Sequence, residues 1–349
     1  MQTPPLARVL LACSTIFLVA TATSCGNDSS GAAGKHEVVL YCALDQVHAE
    51  PLIREFEERT GIDVRAEYDI EAHKTVGLVR RIREEQGRPR CDVFWNNEIA
   101  HTVSLANDGL LMPYDSPSAA DIPEAFRDPE RRWTGLAARA RVFIVNTELM
   151  QGHERPSSMW DLLREEWKGN CGMARPLTGT TLTHVTALYS VIGEEQTLEY
   201  LRGIKDNEVN LTSGNATLMR QVREGQTAWG WTDTDDYWVA KSDGYPVDVV
   251  FPDADEDGIG TLFIPNTVSI LANAPHPDTA KQLVDYILSA EVEERLAKSR
   301  SAQIPLHESL RTMEHPFDLE SIKPMEVDYQ VIGAEITARF AELKELFLD

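Results

Sequence analysis

Cysteine is scarce in this chain: five residues in 349. Cys13 and Cys25 fall in an N-terminal apolar stretch, which leaves Cys42, Cys91 and Cys171. Three thiols allow at most one intrachain bridge, and the sequence does not choose its partners. No CxxC occurs and no histidine pair has HxxxH spacing, so a cysteine-based zinc site is not expected. Basic residues are also few. There are 33 Lys and Arg against 56 Asp and Glu, a formal net charge of −23. Losing Arg8 with an N-terminal leader would take this to −24. Phosphate backbones need clustered Lys and Arg, so nucleic acid is excluded as a partner. The acid excess suits a cationic ligand, although most surface carboxylates only solvate a fold. After the leader no run is long and apolar enough for a membrane span. GxSxG, HExxH and P-loop patterns are absent, as are internal repeats.

What is present begins at the N-terminus. Arg8 precedes the apolar run Val9-Leu10-Leu11-Ala12 to Val19-Ala20, and small residues lead to Cys25. This is a secretory signal over residues 1–25, ending in Ala22-Thr23-Ser24-Cys25, which resembles a bacterial lipobox with Cys25 as the lipidated residue. An ordinary cleaved signal with an incidental Cys25 is the alternative. Residues 26–36, rich in Gly, Ser and Ala, read as a flexible tether between anchor and folded body.

The remainder is long enough for about two domains. Val38–Cys42 is a buried strand, Gln46–Thr60 a helix, and Ile62–Tyr68 alternates as a second strand. Val76, Val79 and Ile82 mark another helix, and Asp92–Trp95 a third strand. This β-α-β-α-β rhythm points to a doubly wound sheet. It breaks at Pro113–Pro129 and resumes with Ala140–Asn146, an apolar strand suited to crossing between lobes. Cys171–Ala174 opens a second α/β rhythm that runs to about Phe263. Thr267–Leu271 reads as the return crossing, and helices follow over Thr279–Ser289, Val292–Ser299 and Val327–Phe347. The expected fold is α/β, two doubly wound lobes joined by two crossing strands. Residues 37–142 with 267–349 form one lobe and 143–266 the other.

Several stretches, in order, are similar to bacterial periplasmic solute-binding proteins of the ferric-iron-transport type. They include Leu40-Tyr41-Cys42-Ala43-Leu44-Asp45, Asp92-Val93-Phe94-Trp95, Asp108-Gly109-Leu110-Leu111, Trp133–Val142, Trp167-Lys168-Gly169 and Asn273–Pro277. The resemblance runs from about Val38 to His307. It implies a type II, two-lobed periplasmic receptor that closes on a solute at its hinge and delivers it to an ABC permease. It implies no enzyme activity and no required cofactor. Localisation would be the cell envelope, with the membrane touched only through the lipid anchor, and the receptor is expected to be a monomer.

Relatives of that type hold ferric iron, a hard cation suited to oxygen ligands, with a histidine after the first strand, a glutamate after the third and adjacent tyrosines in the second lobe. By resemblance those positions fall here at Asp45, at Asn97 with Glu98 beside it, and at Asp236-Tyr237, where one tyrosine stands instead of two. Asp45, Glu98, Asp236 and Tyr237 are thus the candidate metal ligands for Fe3+. Asp233-Thr234-Asp235-Asp236-Tyr237 crowds three carboxylates and a phenol. Like charges so close raise one another's pKa unless a cation relieves them; Thr234 or Asp235 capping a helix is the alternative. Tyr68, Asp69 and Glu71 end the second strand and could face the same cleft.

A second constellation suits an anion. Thr178-Gly179-Thr180 and Ser213-Gly214-Asn215 each lead from a strand into a helix, whose first N–H groups attract negative charge. In the resembling family such loops, with the arginine matching Arg139, hold carbonate, phosphate or a ligand carboxylate. Plain helix capping is the alternative for each loop. The leading expectation is therefore a metal ion, ferric iron among the candidates, bound with carbonate or phosphate. The second is a small organic solute carrying amine and acid groups, its positive end met by Asp233, Asp235 and Asp236. An exported enzyme using carboxylates or a metal is the alternative of another class.

Overall fold

The computed structural model describes residues 36–69 and 75–348. The signal, Cys25, nearly all of the tether and Glu71 lie outside them. The short apolar runs Val93–Asn96 and Cys171–Ala174 are strands buried along their whole length, and amphipathic segments such as Val76–Glu84 pack on the sheet as helices. The first half reads β1 (Glu37–Cys42), α1 (Gln46–Thr60), β2 (Asp63–Tyr68), α2 (Val76–Glu84), β3 (Val93–Asn96), α3 (Ala100–Asn107) and β4 (Leu111–Met112). β5 (Thr134–Asn146) follows. The middle carries β6 (Cys171–Ala174), α4 (Gly179–Val191), α5 (Glu194–Asp206), β7 (Asn210–Thr212), α6 (Asn215–Arg223), β8 (Trp229–Asp233), α7 (Thr234–Ser242) and β9 (Val247–Val250). β10 (Phe263–Leu271), α8 (Pro277–Ile287), α9 (Ala290–Lys298) and α10 (Tyr329–Leu348) complete the chain.

Strand order is β2-β1-β3-β10-β5-β8-β6-β7. β1 is parallel to β2 and β3, and β6 is parallel to β7 and β8, so each half is a parallel α/β sheet. The halves meet on β5. Its first part pairs antiparallel with β10 and its last, Arg141–Asn146, with β8 and β9. All thirteen of its residues are buried. The expected α/β fold, two doubly wound halves joined by crossing strands, is met. Ala140–Asn146 forms the second part of a longer crossing strand. Cys42, Cys91 and Cys171 are buried thiols with no bridge among them. Burial of a small apolar side chain accounts for all three. Among the described residues no helix is long and apolar enough to cross a membrane.

α10 packs on both α3 and α4, one helix from each half. Its approach to α3 depends on Gly333: a Cβ there would lie 2.3 Å from Val103 Cβ and 2.9 Å from the Ala100 carbonyl oxygen. Gly333→Ala should therefore push α10 off its seat and cost about 1–3 kcal/mol, the usual penalty of overpacking. Urea unfolding reads it directly, and an unchanged midpoint would mean that α10 shifts without cost.

Candidate functional site

The carboxyl ends of the parallel strands in both halves converge on one small cavity of about 50 Å³, the place where open α/β sheets bind ligands. Asp45 after β1 and Asn97 after β3 line it from one side of β5, and Arg139 of β5 reaches it from within. From the other half come the starts of three helices. These are Thr178–Thr181 at α4, Gly214–Ala216 at α6, and Asp233, Asp235 and Asp236 at α7. The structure thus brings Asp45, Asn97, Arg139, Thr178, Gly179, Thr180, Asn215, Asp235 and Asp236 together around one cavity.

The helix starts are not ordinary caps. Thr178 and Gly214 occupy the N-cap positions in extended conformation, and neither supplies a side-chain cap bond. Gly179 then takes φ +55, where a side chain would be strained. First-turn N–H groups have no intrahelical acceptor, so both helices present partial positive charge to the cavity.

What holds the two starts is Asp233. Its carboxylate accepts from Arg141 Nη1 at 2.6 Å, Thr180 Oγ1 at 2.7 Å and Asn215 Nδ2 at 3.0 Å. Arg141 is fully buried, with Thr181 Oγ1 and His184 Nδ1 each 3.4 Å away. Burial works to raise the Asp233 pKa, but the charges of Arg141 and Arg139 and the Thr180 hydroxyl hold it below the ordinary value. Burial and the neighbouring Arg141 charge push His184 well below its usual pKa, so it is neutral. Asp233 is therefore a strut joining α4, α6 and β8. Its place among three clustered carboxylates suggests a cation site, but the Arg141 guanidinium already neutralises it. The signal for Arg141 was the spacing: Arg139 and Arg141, two apart in one strand, share a face.

Arg139 is 4% exposed. One guanidinium nitrogen donates to the Asn97 carbonyl, and Nη1 stands 3.9 Å from Asp235 Oδ2. Its Nε has no acceptor among the described residues. Asp236 accepts from the Thr232 hydroxyl at 2.7 Å. One oxygen from each of Asp233, Asp235 and Asp236 falls within 4.8 Å of the others.

Two expected metal ligands are corrected. Glu98 does not line the cavity. It is fully buried, and its carboxylate accepts from the backbone N–H of Ala100 and His101 and from the Asn96 and Thr183 side chains. The start of α3 has consumed it. Tyr237 is also elsewhere, in an apolar cluster with its ring 6.1 Å from Phe317. Burial, with the Asp248 charge adding to it, pushes its phenol up to about 12. Tyr237→Phe should then leave retained metal, colour and solute affinity unchanged, within about twofold; loss of any of them would return the phenol to the site. Of the residues ending β2, Tyr68 packs on the core and Asp69 accepts from the Leu78 N–H at 3.3 Å.

The strand order, with two parallel α/β halves joined through β5 and β10, is the architecture of the type II periplasmic binding proteins. The chain belongs to the bacterial extracellular solute-binding protein family, whose pattern matches residues 102–324. Its fold is that of the periplasmic binding protein AfuA from Actinobacillus pleuropneumoniae, solved with exogenous fructose-6-phosphate bound. The TM-score is 0.78 at 25% identity, over 88% of this chain and 97% of that one. It is 24% identical to the major ferric iron-binding protein of Neisseria meningitidis, over 83% of this chain and 86% of the relative. It is 23% identical to a putative 2-aminoethylphosphonate-binding periplasmic protein of Salmonella typhi, over 70% of this chain and 69% of the relative. These likenesses bear out the resemblance read from the sequence.

Proposed function

We propose that this protein is a periplasmic receptor that captures a small organic solute carrying an acid group and an amine and hands it to an ABC permease. The observation that carries this is the convergence of the two uncapped helix starts, α4 and α6, with the buried Arg139 on one cavity. Those groups suit a carboxylate or a phosphorus oxyanion. Asp45, Asp235 and Asp236 line the same cavity and suit the amine. The phosphonate and sugar-phosphate named for two of the similar proteins are solutes of related chemistry. Closure would turn on β5 and on the return through β10, with lobe limits at 142/143 and 266/267. Cys25 would carry the lipid that keeps a monomeric receptor at the membrane.

A second reading has one observation in its favour. Asp233, Asp235 and Asp236 stand close enough to share a cation. Ferric iron with carbonate or phosphate would then be the cargo. The engagement of Asp233 by Arg141 and the placement of Tyr237 weigh against it. Native mass spectrometry of the freshly purified protein, with elemental analysis, separates the two. A retained organic mass supports the first. Stoichiometric iron with no organic mass overturns it.

A further inference from the structure

In its pairing with β10, β5 carries one residue more than its partner. Arg139 lies opposite Ile264 and Leu136 opposite Asn266, so Ala137 and Ala138 face Pro265 alone. Proline has no N–H to give the ladder, and a bulge is the usual result. Ala137 takes φ 43, in the left-handed region that alanine seldom occupies. Such a conformation persists only where the surroundings impose it.

The imposing groups come from outside the strand pair as well as from within it. The Ala137 N–H donates to Glu293 Oε1 at 2.5 Å, and the Ala137 carbonyl accepts from Asn266 Nδ2. Asn266 also donates to Gln303 Oε1 at 2.8 Å. Glu293, on α9, is completely buried, and its second oxygen accepts from the N–H groups of Leu306 and His307 at 3.0 and 2.9 Å. Ala138 exchanges both backbone bonds with Ile304, each 2.7 Å. Neither Glu293 nor Asn266 lines the cavity.

We propose that Glu293 and Asn266 are positioning residues for the solute site: by holding the bulge at Ala137 they set the face on which Arg139 emerges. Side chains alternate along a strand, so one residue more or less turns every later side chain to the opposite face. With the bulge in place, Arg139 and Arg141 both point to the cavity side, Arg139 to its lining and Arg141 to the Asp233 strut. If the bulge relaxes, Arg139 loses its aim without any change in the residues that touch the solute. The proposal rests on the reading that Arg139 receives the solute's acid group.

The test uses two variants. Glu293→Met keeps the length and removes both acceptors; Glu293→Gln keeps one acceptor oxygen and guards against failure to fold. The first readout is the Arg139 Nε–Hε signal in nitrogen-15 spectra of the full protein, identified by its loss in Arg139→Ala. The second is calorimetric affinity for inorganic phosphate, in the wild-type and Arg139→Ala backgrounds. The proposal expects the Arg139 signal to shift and broaden, and phosphate to bind about tenfold more weakly, the loss set by one misdirected charged hydrogen bond. It expects no further loss in the Arg139→Ala background. An unmoved Arg139 signal in a folded variant, or an equal phosphate loss in both backgrounds, overturns it. Should the wild type bind no phosphate, the oxyanion form of the receptor reading fails, and the Arg139 signal alone decides the positioning role.

Discussion

Asp233→Ala should be the most destabilising single substitution in the site. It strands the Arg141 guanidinium, 1% exposed in its side chain, without its counter-charge. It also removes the acceptor that Thr180 and Asn215 share. Breaking a buried ion pair from one side costs about 3–5 kcal/mol, because the remaining charge is neither solvated nor matched. The same pair predicts the acid limb of the stability profile. The folded pKa of Asp233 lies below its ordinary value, so its contribution is complete above the usual carboxylate range, near pH 4. It is lost as pH falls through the lower folded value. Thermal unfolding between about pH 3 and 7 checks both points. Asp233→Asn should melt lower at pH 7 and show a shallower fall toward acid. Equal melting temperatures for wild type and both variants would show that the strut contributes nothing.

Much of the architecture was legible because it rests on local pattern. Gln46–Thr60 and Cys171–Ala174 were read with the bounds they have, since apolar spacing sets the period and buried runs set the strands. The beginning of β5 was missed for a physical reason. Thr134–Arg139 mixes glycine, alanines and an arginine, and becomes strand only because β10 pairs with it and a bulge absorbs Pro265. No local preference announces that.

The site divides in the same way. Residues just beyond strand ends were found, because the carboxyl-end rule of α/β sheets is positional and needs no side-chain detail. Glu98 and Tyr237 were misplaced because a sequence position does not fix a direction. The first residues of α3 draw Glu98 onto their own N–H groups. One step along α7 rotates by about 100°, enough to leave Asp236 at the cavity while Tyr237 turns to Phe317. For Arg141 the spacing from Arg139 gives the face but not the role. A buried arginine is recognised by the partner that neutralises it, and Asp233 lies 92 residues away.

Arg139→Ala should separate binding from folding. Its side chain ties to one carbonyl, that of Asn97, and stands near Asp235, so the fold loses about 1.5–3 kcal/mol, as for one hydrogen bond to a charged group. The solute loses more. Removing one partner of a desolvated charged contact costs about 2–5 kcal/mol, or roughly thirty- to several-thousandfold in affinity. Arg139→Lys should recover only part of this, because an ammonium keeps the charge but lacks the planar fork that grips two oxygens. Calorimetry with inorganic phosphate, and native mass spectra of the retained solute, give the two numbers independently. A phosphate affinity unchanged in Arg139→Ala would remove this residue from the site and leave the helix starts as the sole anion-binding elements. The comparison also bears on the cargo. An organic solute held through its own acid group would be lost from Arg139→Ala whatever the buffer. A metal held through carboxylates would be retained in proportion to the carbonate or phosphate supplied. The dependence of retention on added anion, rather than retention itself, therefore distinguishes an acid group that belongs to the solute from one that only accompanies a metal.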